Sequence, residues 1–165
     1  MIRLDHITQS FAGSPLFEGV SLSLGTGEKA GLSGVSGCGK TSLLRLIAGL
    51  DAPREGRVLL NGQEASRAGQ ILIPPHRRGI GYVFQSPALW PHMTVAQNIL
   101  FGLGRMTRAE ARHALRRALA QTGTGHLADR RPDTLSGGEQ KRVAIARALA
   151  PEPPILLMAA PLANL

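Results

Sequence analysis

The stretch GVSGCGKT, Gly34 to Thr41, decides how the rest of the chain is read. It fits G-x-x-x-x-G-K-[ST] and lies between a run that reads as a strand, Lys29 to Ser33, and a helical run, Lys40 to Ala48. That is the context the pattern requires. Gly34, Gly37 and Gly39 let main-chain N–H groups converge on one point, and the following helix aims the positive end of its dipole at the same place. The result is a cradle for a polyphosphate. Lys40 would neutralise the β and γ oxygens and the Thr41 hydroxyl would ligate Mg²⁺, with Ser36, Cys38 and Ser42 completing the segment. Cys38 has two open readings: a thiolate favoured by an electropositive loop, or a small residue at a variable position.

Upstream of the loop, Ile2 to Thr8 and Val20 to Leu24 alternate apolar and polar residues and read as short strands. In the helix after it, Leu43, Leu44 and Ile47 make one apolar face, and Gly49 supplies a stop. Arg57 to Leu60 followed by Asn61-Gly62 is a strand with a hairpin turn. The loop PPHRR then leads to a strand over Gly79 to Phe84.

The second half reads as helical. Thr107-Arg108-Ala109-Glu110 is a capping box opening a helix with Ala111, Ala114, Leu115, Ala118 and Leu119 on one side, ending near Gly123. Ser136-Gly137-Gly138-Glu139 is a second box, and its helix runs to Ala150, where Pro151 stops it. Ile155 to Met158 is a continuous apolar run suited to a strand covered on both faces.

Bulk properties narrow the function. With 165 residues, 43% of them apolar, the chain has the size of one domain with one core. A net charge of +8 would suit nucleic acid or an anionic membrane surface. The basic residues, however, are scattered pairs (Arg77-Arg78, Arg116-Arg117, Arg130-Arg131, Lys141-Arg142), and one Tyr and one Trp leave few platforms for bases. No nucleic-acid partner is expected. The start, MIRLDHITQS, lacks the apolar region of a signal peptide, and no apolar run reaches the roughly 18 residues of a membrane span, so a cytosolic chain is expected. A single cysteine rules out an internal disulfide, and His6, His76, His92, His113 and His126 show no metal-ligand spacing.

Three further stretches point to one family. Leu135-Ser136-Gly137-Gly138-Glu139-Gln140, followed by Lys141-Arg142-Val143-Ala144-Ile145-Ala146-Arg147-Ala148-Leu149, closely resembles the signature motif of ATP-binding cassette (ABC) transporter ATPases. Gly81-Tyr82-Val83-Phe84-Gln85 looks like their Q-loop, and Phe11 lies where the family places an aromatic against adenine, although a lone Phe is more often a core residue. The resemblance covers essentially the whole chain. PPHRRGIGYVFQSPALWPHMTVAQNI looks most like cassettes of bacterial importers for iron, polyamines, sulfate, molybdate or thiamine.

The resemblance implies an α/β P-loop cassette with a mixed central sheet, an antiparallel β subdomain and an inserted α-helical subdomain. The implied division is one domain over 1–165, with 1–87 and 146–165 as P-loop core and β subdomain and 88–145 as helical subdomain. ATP and Mg²⁺ are the implied cofactors. Gln85 would sense Mg²⁺ and the attacking water while its loop touches a membrane subunit; taken alone, it is a polar residue ending a strand. Ser136, Gly137 and Gly138 gather free N–H groups and a helix dipole into an anion site. In the family that site closes on the γ-phosphate held by a second cassette, so a head-to-tail dimer is implied. Transmembrane permease subunits, and through them a solute-binding protein, are the other implied partners, which places the chain at the cytoplasmic face of the membrane.

One position departs from the pattern. ABC ATPases usually end the strand after the signature helix with an Asp that holds magnesium and a Glu that polarises water; here those positions are Ala159 and Ala160. A methyl group can do neither. The expectation is ATP binding with hydrolysis strongly reduced, or, as the alternative, a nucleotide-binding module without turnover. Ending at Leu165, the sequence also lacks the family's next acidic residue, its γ-phosphate histidine and the strand between the one feeding Gly34 and Ile155 to Met158. An incomplete sheet with unpaired edges and a marginal, aggregation-prone chain are expected from that. A DNA-repair or chromosome-organising ATPase would carry a coiled coil between Lys40 and Ser136, and no sustained heptads lie there.

Overall fold

Alternation of side chains at the N-terminus builds longer strands than the sequence suggests. A computed structural model describes residues 1–11, 14–35 and 37–159, the Phe11 side chain excepted. The chain divides into two units, Met1–Gly79 and Ile80–Leu165. In the first, β1 (Ile2–Phe11), β2 (Ser14–Leu24), β3 (Glu55–Leu60), β4 (Gln63–Arg67) and β5 (Gln70–Ile71) form an antiparallel sheet in the order β2-β1-β3-β4-β5. Ile2 and Leu4 are buried by strict alternation, which would turn Ile7 to the other face. A bulge corrects this. β1 gains one residue against both neighbours between Leu4 and Thr8, His6 takes φ 49°, and Ile7 is fully buried. The β3–β4 hairpin turns through Asn61 and Gly62 at φ 50° and 81°, the left-handed pair the sequence predicts.

Helix α1 (Lys40–Ala48) has the predicted bounds and buries Leu43, Leu46 and Ile47, positions three and four apart. It ends where Gly49 N–H bonds the Leu46 carbonyl and Leu50 N–H the Arg45 carbonyl, at 3.1 and 2.9 Å. The strand expected over Lys29 to Ser33 is not formed. These residues are exposed, Leu32 by 40%, and pair with no described strand. Extended residues without a hydrogen-bonding neighbour gain nothing from the ladder, and Ala30 and Leu32 are too few to hold the segment by burial.

In the second unit, β6 (Ile80–Val83) pairs in parallel with β7 (Ile155–Met158), Ile80 opposite Ile155 and Val83 opposite Met158. Parallel pairing demands a long crossover. It holds α2 (Val95–Phe101), α3 (Arg108–Gln121) and α4 (Gly137–Leu149). Their apolar faces meet in one core of Val95, Ile99, Leu103, Ala118, Leu127 and Val143 with neighbours. Both predicted capping boxes are present, Thr107 with Glu110 and Ser136 with Glu139. A third, unread in the sequence, starts α2: Thr94-Val95-Ala96-Gln97, which carries the same S/T-x-x-E/Q signal. Buried Asn98 fastens the preceding loop, accepting from Trp90 N–H at 2.8 Å and donating to the Trp90, Met93 and Thr94 carbonyls at 3.0–3.2 Å. In β7 only Leu157 is buried; Ile155, Leu156 and Met158 are half-buried. Burial on both faces needs two covering layers, and the described residues supply less.

Candidate functional site

The N-terminus of α1 differs from the other three. Helices α2, α3 and α4 each close their first turn with a reciprocal side-chain box; α1 starts from Gly39 with no side-chain cap and no acidic residue in its first turn. Among the described residues, no side-chain cap satisfies its first N–H groups. Gly39 holds φ 89°, and a Cβ there would lie 2.8 Å from the Phe17 ring, so strain and space both require glycine. Lys40 folds back over the loop, donating from Nζ to the carbonyls of Gly34 and Val35 at 2.8 and 2.9 Å, with Cys38 Sγ at 3.5 Å. The ammonium is thus parked on neutral main-chain acceptors that it can exchange for anionic oxygens. Cys38 and Thr41 are exposed, and Ser42 is half-buried.

The first unit thus brings together Gly34, Gly37, Cys38, Gly39, Lys40, Thr41 and Ser42. Ser36 lies outside the described residues, as does the side chain of Phe11, whose backbone ends β1.

The second unit holds the other candidates. Gln85 is exposed in the bend after β6. At the start of α4, Ser136 Oγ and N–H both donate to Glu139 Oε2 at 2.7 Å, and Ser136 Oγ accepts from Glu139 N–H at 3.3 Å. The hydrogen bond from the Ser136 hydroxyl, then that from its backbone, holds the Glu139 carboxyl below its usual range. A Cβ on Gly137 would meet nothing within 4 Å. Ala159 follows β7, half-buried, and its N–H donates to the Val83 carbonyl at 2.9 Å; Ala160 lies outside the described residues.

Two arginines escaped the sequence reading because they look like ordinary basic residues. Arg147 of α4 donates to the Ala88 and Pro87 carbonyls at 2.8 and 3.0 Å and lies 5.0 Å from the centroid of the Trp90 ring, which packs against Phe101 at a 45° tilt with centroids 4.4 Å apart. Arg78, half of an apparent basic pair, is 6% exposed. Desolvation lowers the pKa of both. Among the described residues no group of His, Cys, Asp or Glu is placed to hold a metal, and no helix is long and apolar enough to cross a membrane.

An uncapped helix start behind a glycine loop, with a lysine folded over it, defines a P-loop protein of the α/β class. Residues 17–163 match the family model described as ABC transporter, and the chain belongs to that family. Its architecture is the α/β P-loop fold of the ABC cassette. The Fe(3+) ions import ATP-binding protein FbpC 1 of Rhodococcus jostii (strain RHA1) is 44% identical over 164 residues, which cover 99% of this chain and 46% of that protein. The molybdenum import ATP-binding protein ModC of Methylococcus capsulatus (strain ATCC 33009 / NCIMB 11132 / Bath) is 52% identical over 134 residues, 81% of this chain and 37% of that one. Among solved structures, the dimeric post-hydrolysis state of the ATP-binding cassette MJ0796 bound to ADP and Pi matches at a TM-score of 0.83 and 31% identity, over 96% of this chain and 73% of that chain. The chain spans about half the length of the curated relatives it matches, 46% for the first.

Proposed function

We propose that this chain is the ATP-binding part of an ABC importer subunit, one that grips Mg-ATP and hydrolyses it slowly. The observation that carries the reading is the start of α1, where amides without a side-chain cap and the Lys40 ammonium face the same loop. A nucleotide's phosphates fit that donor set, which holds no acidic residue in its first turn. The loop amides and Lys40 would hold the β and γ oxygens, and Phe11 would stack on the base. The Thr41 hydroxyl would ligate Mg²⁺, which would supply charge neutralisation there, and Gln85 is the metal-sensing residue that the resemblance implies. Ser136, Gly137 and Gly138 would serve a phosphate bound by a second cassette, as in a two-fold dimer. One domain, divided as the sequence suggests into a core and a helical insertion at 88–145, would carry both halves.

Slow turnover follows from chemistry at the end of β7. Ala159 presents a methyl group where the resemblance calls for a magnesium-holding Asp, and Ala160 stands at the position of the Glu. Losing a general base costs ~10²–10⁴-fold in rate, whereas the main-chain phosphate grip is untouched. The same two alanines favour a second reading, nucleotide binding with no turnover at all. In either case permease subunits at the cytoplasmic face of the membrane are the partners, with a solute-binding protein reached through them.

Calorimetry with Mg-ATP beside a phosphate-release assay tests both parts. Association heat that Lys40→Ala abolishes, with phosphate release far below that of an intact ABC ATPase, is expected. No heat from a folded wild-type sample overturns the nucleotide reading. Rapid turnover that Lys40→Ala abolishes overturns the slow-hydrolysis part alone.

A further inference from the structure

Arg78 engages every N–H of its guanidinium. It directly follows the short turn Pro75–Arg77, and its five N–H donors meet five acceptors. Nε donates to the Ile73 carbonyl at 2.8 Å. Nη1 donates to the Leu46 and Ile47 carbonyls at 3.2 and 2.8 Å, and Nη2 to the Ala65 carbonyl and the Ser66 hydroxyl at 2.9 and 2.5 Å. The guanidinium is thereby saturated, although all its acceptors are uncharged. Two of them are carbonyls in the last turn of α1, at the negative end of its dipole, where the Leu46 carbonyl also accepts from Gly49 N–H. Gly49 leaves the space this needs: a Cβ there would collide with the guanidinium.

Helix α1 is nine residues long, about 13 Å at 1.5 Å per residue, and carries Lys40 and Thr41 at its other end. Its N-terminus has no side-chain cap to fix it. The position of Lys40 and Thr41 therefore depends on how firmly the C-terminal end is held to the sheet. Arg78 supplies that hold by bridging the last turn of α1 to Ala65 and Ser66 of β4. We propose that Arg78 is a positioning residue for phosphate binding, fixing α1 from behind so that its N-terminal amides, Lys40 and Thr41 stay in register with a triphosphate. This rests on the nucleotide reading above. A lysine could not replace it, since an ammonium lacks the planar fork that reaches both elements at once.

The test compares the wild-type 165-residue chain with Arg78→Lys and the milder Ser66→Ala, which removes one acceptor and leaves the guanidinium in place. Amide hydrogen exchange without nucleotide reads the hold on α1, and calorimetry with Mg-ATP reads its consequence. Exchange over Lys40–Ala48 should quicken at least about tenfold in Arg78→Lys while β1 is unchanged. The Mg-ATP Kd should rise about tenfold with the binding stoichiometry kept, and Ser66→Ala should shift both readouts in the same direction by less. A role in stability alone would lower the stoichiometry and leave the Kd of the folded fraction as it was, which overturns the proposal. So does wild-type Kd and wild-type α1 exchange in both variants. If Arg78→Lys does not fold, Ser66→Ala decides by the same two readouts. No heat from the wild-type chain overturns the nucleotide reading and this role with it.

Discussion

The guanidinium of Arg147 lies 5.0 Å from the centroid of the Trp90 ring while its terminal nitrogens hold the carbonyls of Pro87 and Ala88. One side chain of the signature helix thus fixes the segment that follows Gln85. Replacing Arg147 with alanine removes two charge-assisted hydrogen bonds and the ring contact together. A loss of about 1–2 kcal/mol in urea denaturation is expected. Arg147→Lys should recover only part, because an ammonium cannot reach two carbonyls in the same fork-like way.

Asn98 is fully buried, and its amide holds three main-chain carbonyls and one N–H of residues 90–94. Asn98→Ala leaves those groups short of a partner. It should cost about 2–3 kcal/mol, read as a lowered Tm. Asn98→Asp should be at least as harmful, since an ionised carboxylate cannot donate to the three carbonyls.

Restoring the two carboxylates tests the proposed cause of slow turnover. Ala159→Asp with Ala160→Glu should raise phosphate release ~10²–10⁴-fold. The Ala159 bond to Val83 uses its backbone N–H, which aspartate keeps. Unchanged release in a folded double variant that binds Mg-ATP would show that turnover is limited elsewhere.

The capping boxes make α3 and α4 sensitive to acid. Glu110 and Glu139 are both held below the ordinary glutamate range, in each case first by the side-chain hydroxyl of the N-cap residue and then by its backbone N–H. A lowered folded-state pKa means the unfolded chain binds protons first as pH falls. Their contribution is fully present above about pH 4.5 and is lost below it as pH falls through the lowered folded value. Stability measured from pH 6 downward should therefore decline in that window, and Glu110→Gln with Glu139→Gln should flatten the decline.

Much of the local structure around the candidate site was legible because its signals are local. GVSGCGKT needs only backbone conformation and the start of the next helix, so Gly39, Lys40 and Thr41 occupy the positions their spacing predicts. The same holds for the turn at Asn61-Gly62 and the boxes at Thr107 and Ser136, each closed by residues no more than three apart. The box at Thr94 carried the same signal and went unread, since the helix behind it is only seven residues long, about two turns.

The sequence by itself determined the phosphate loop and the helix caps, because each depends on residues a few positions apart. Tertiary structure alone decided the rest. Arg78 and Arg147 became anchors when distant carbonyls converged on them, and a bulge at His6 turned Ile7 inward. Lys29 to Ser33 forms no strand, since a strand exists only through the partner that completes its hydrogen bonds.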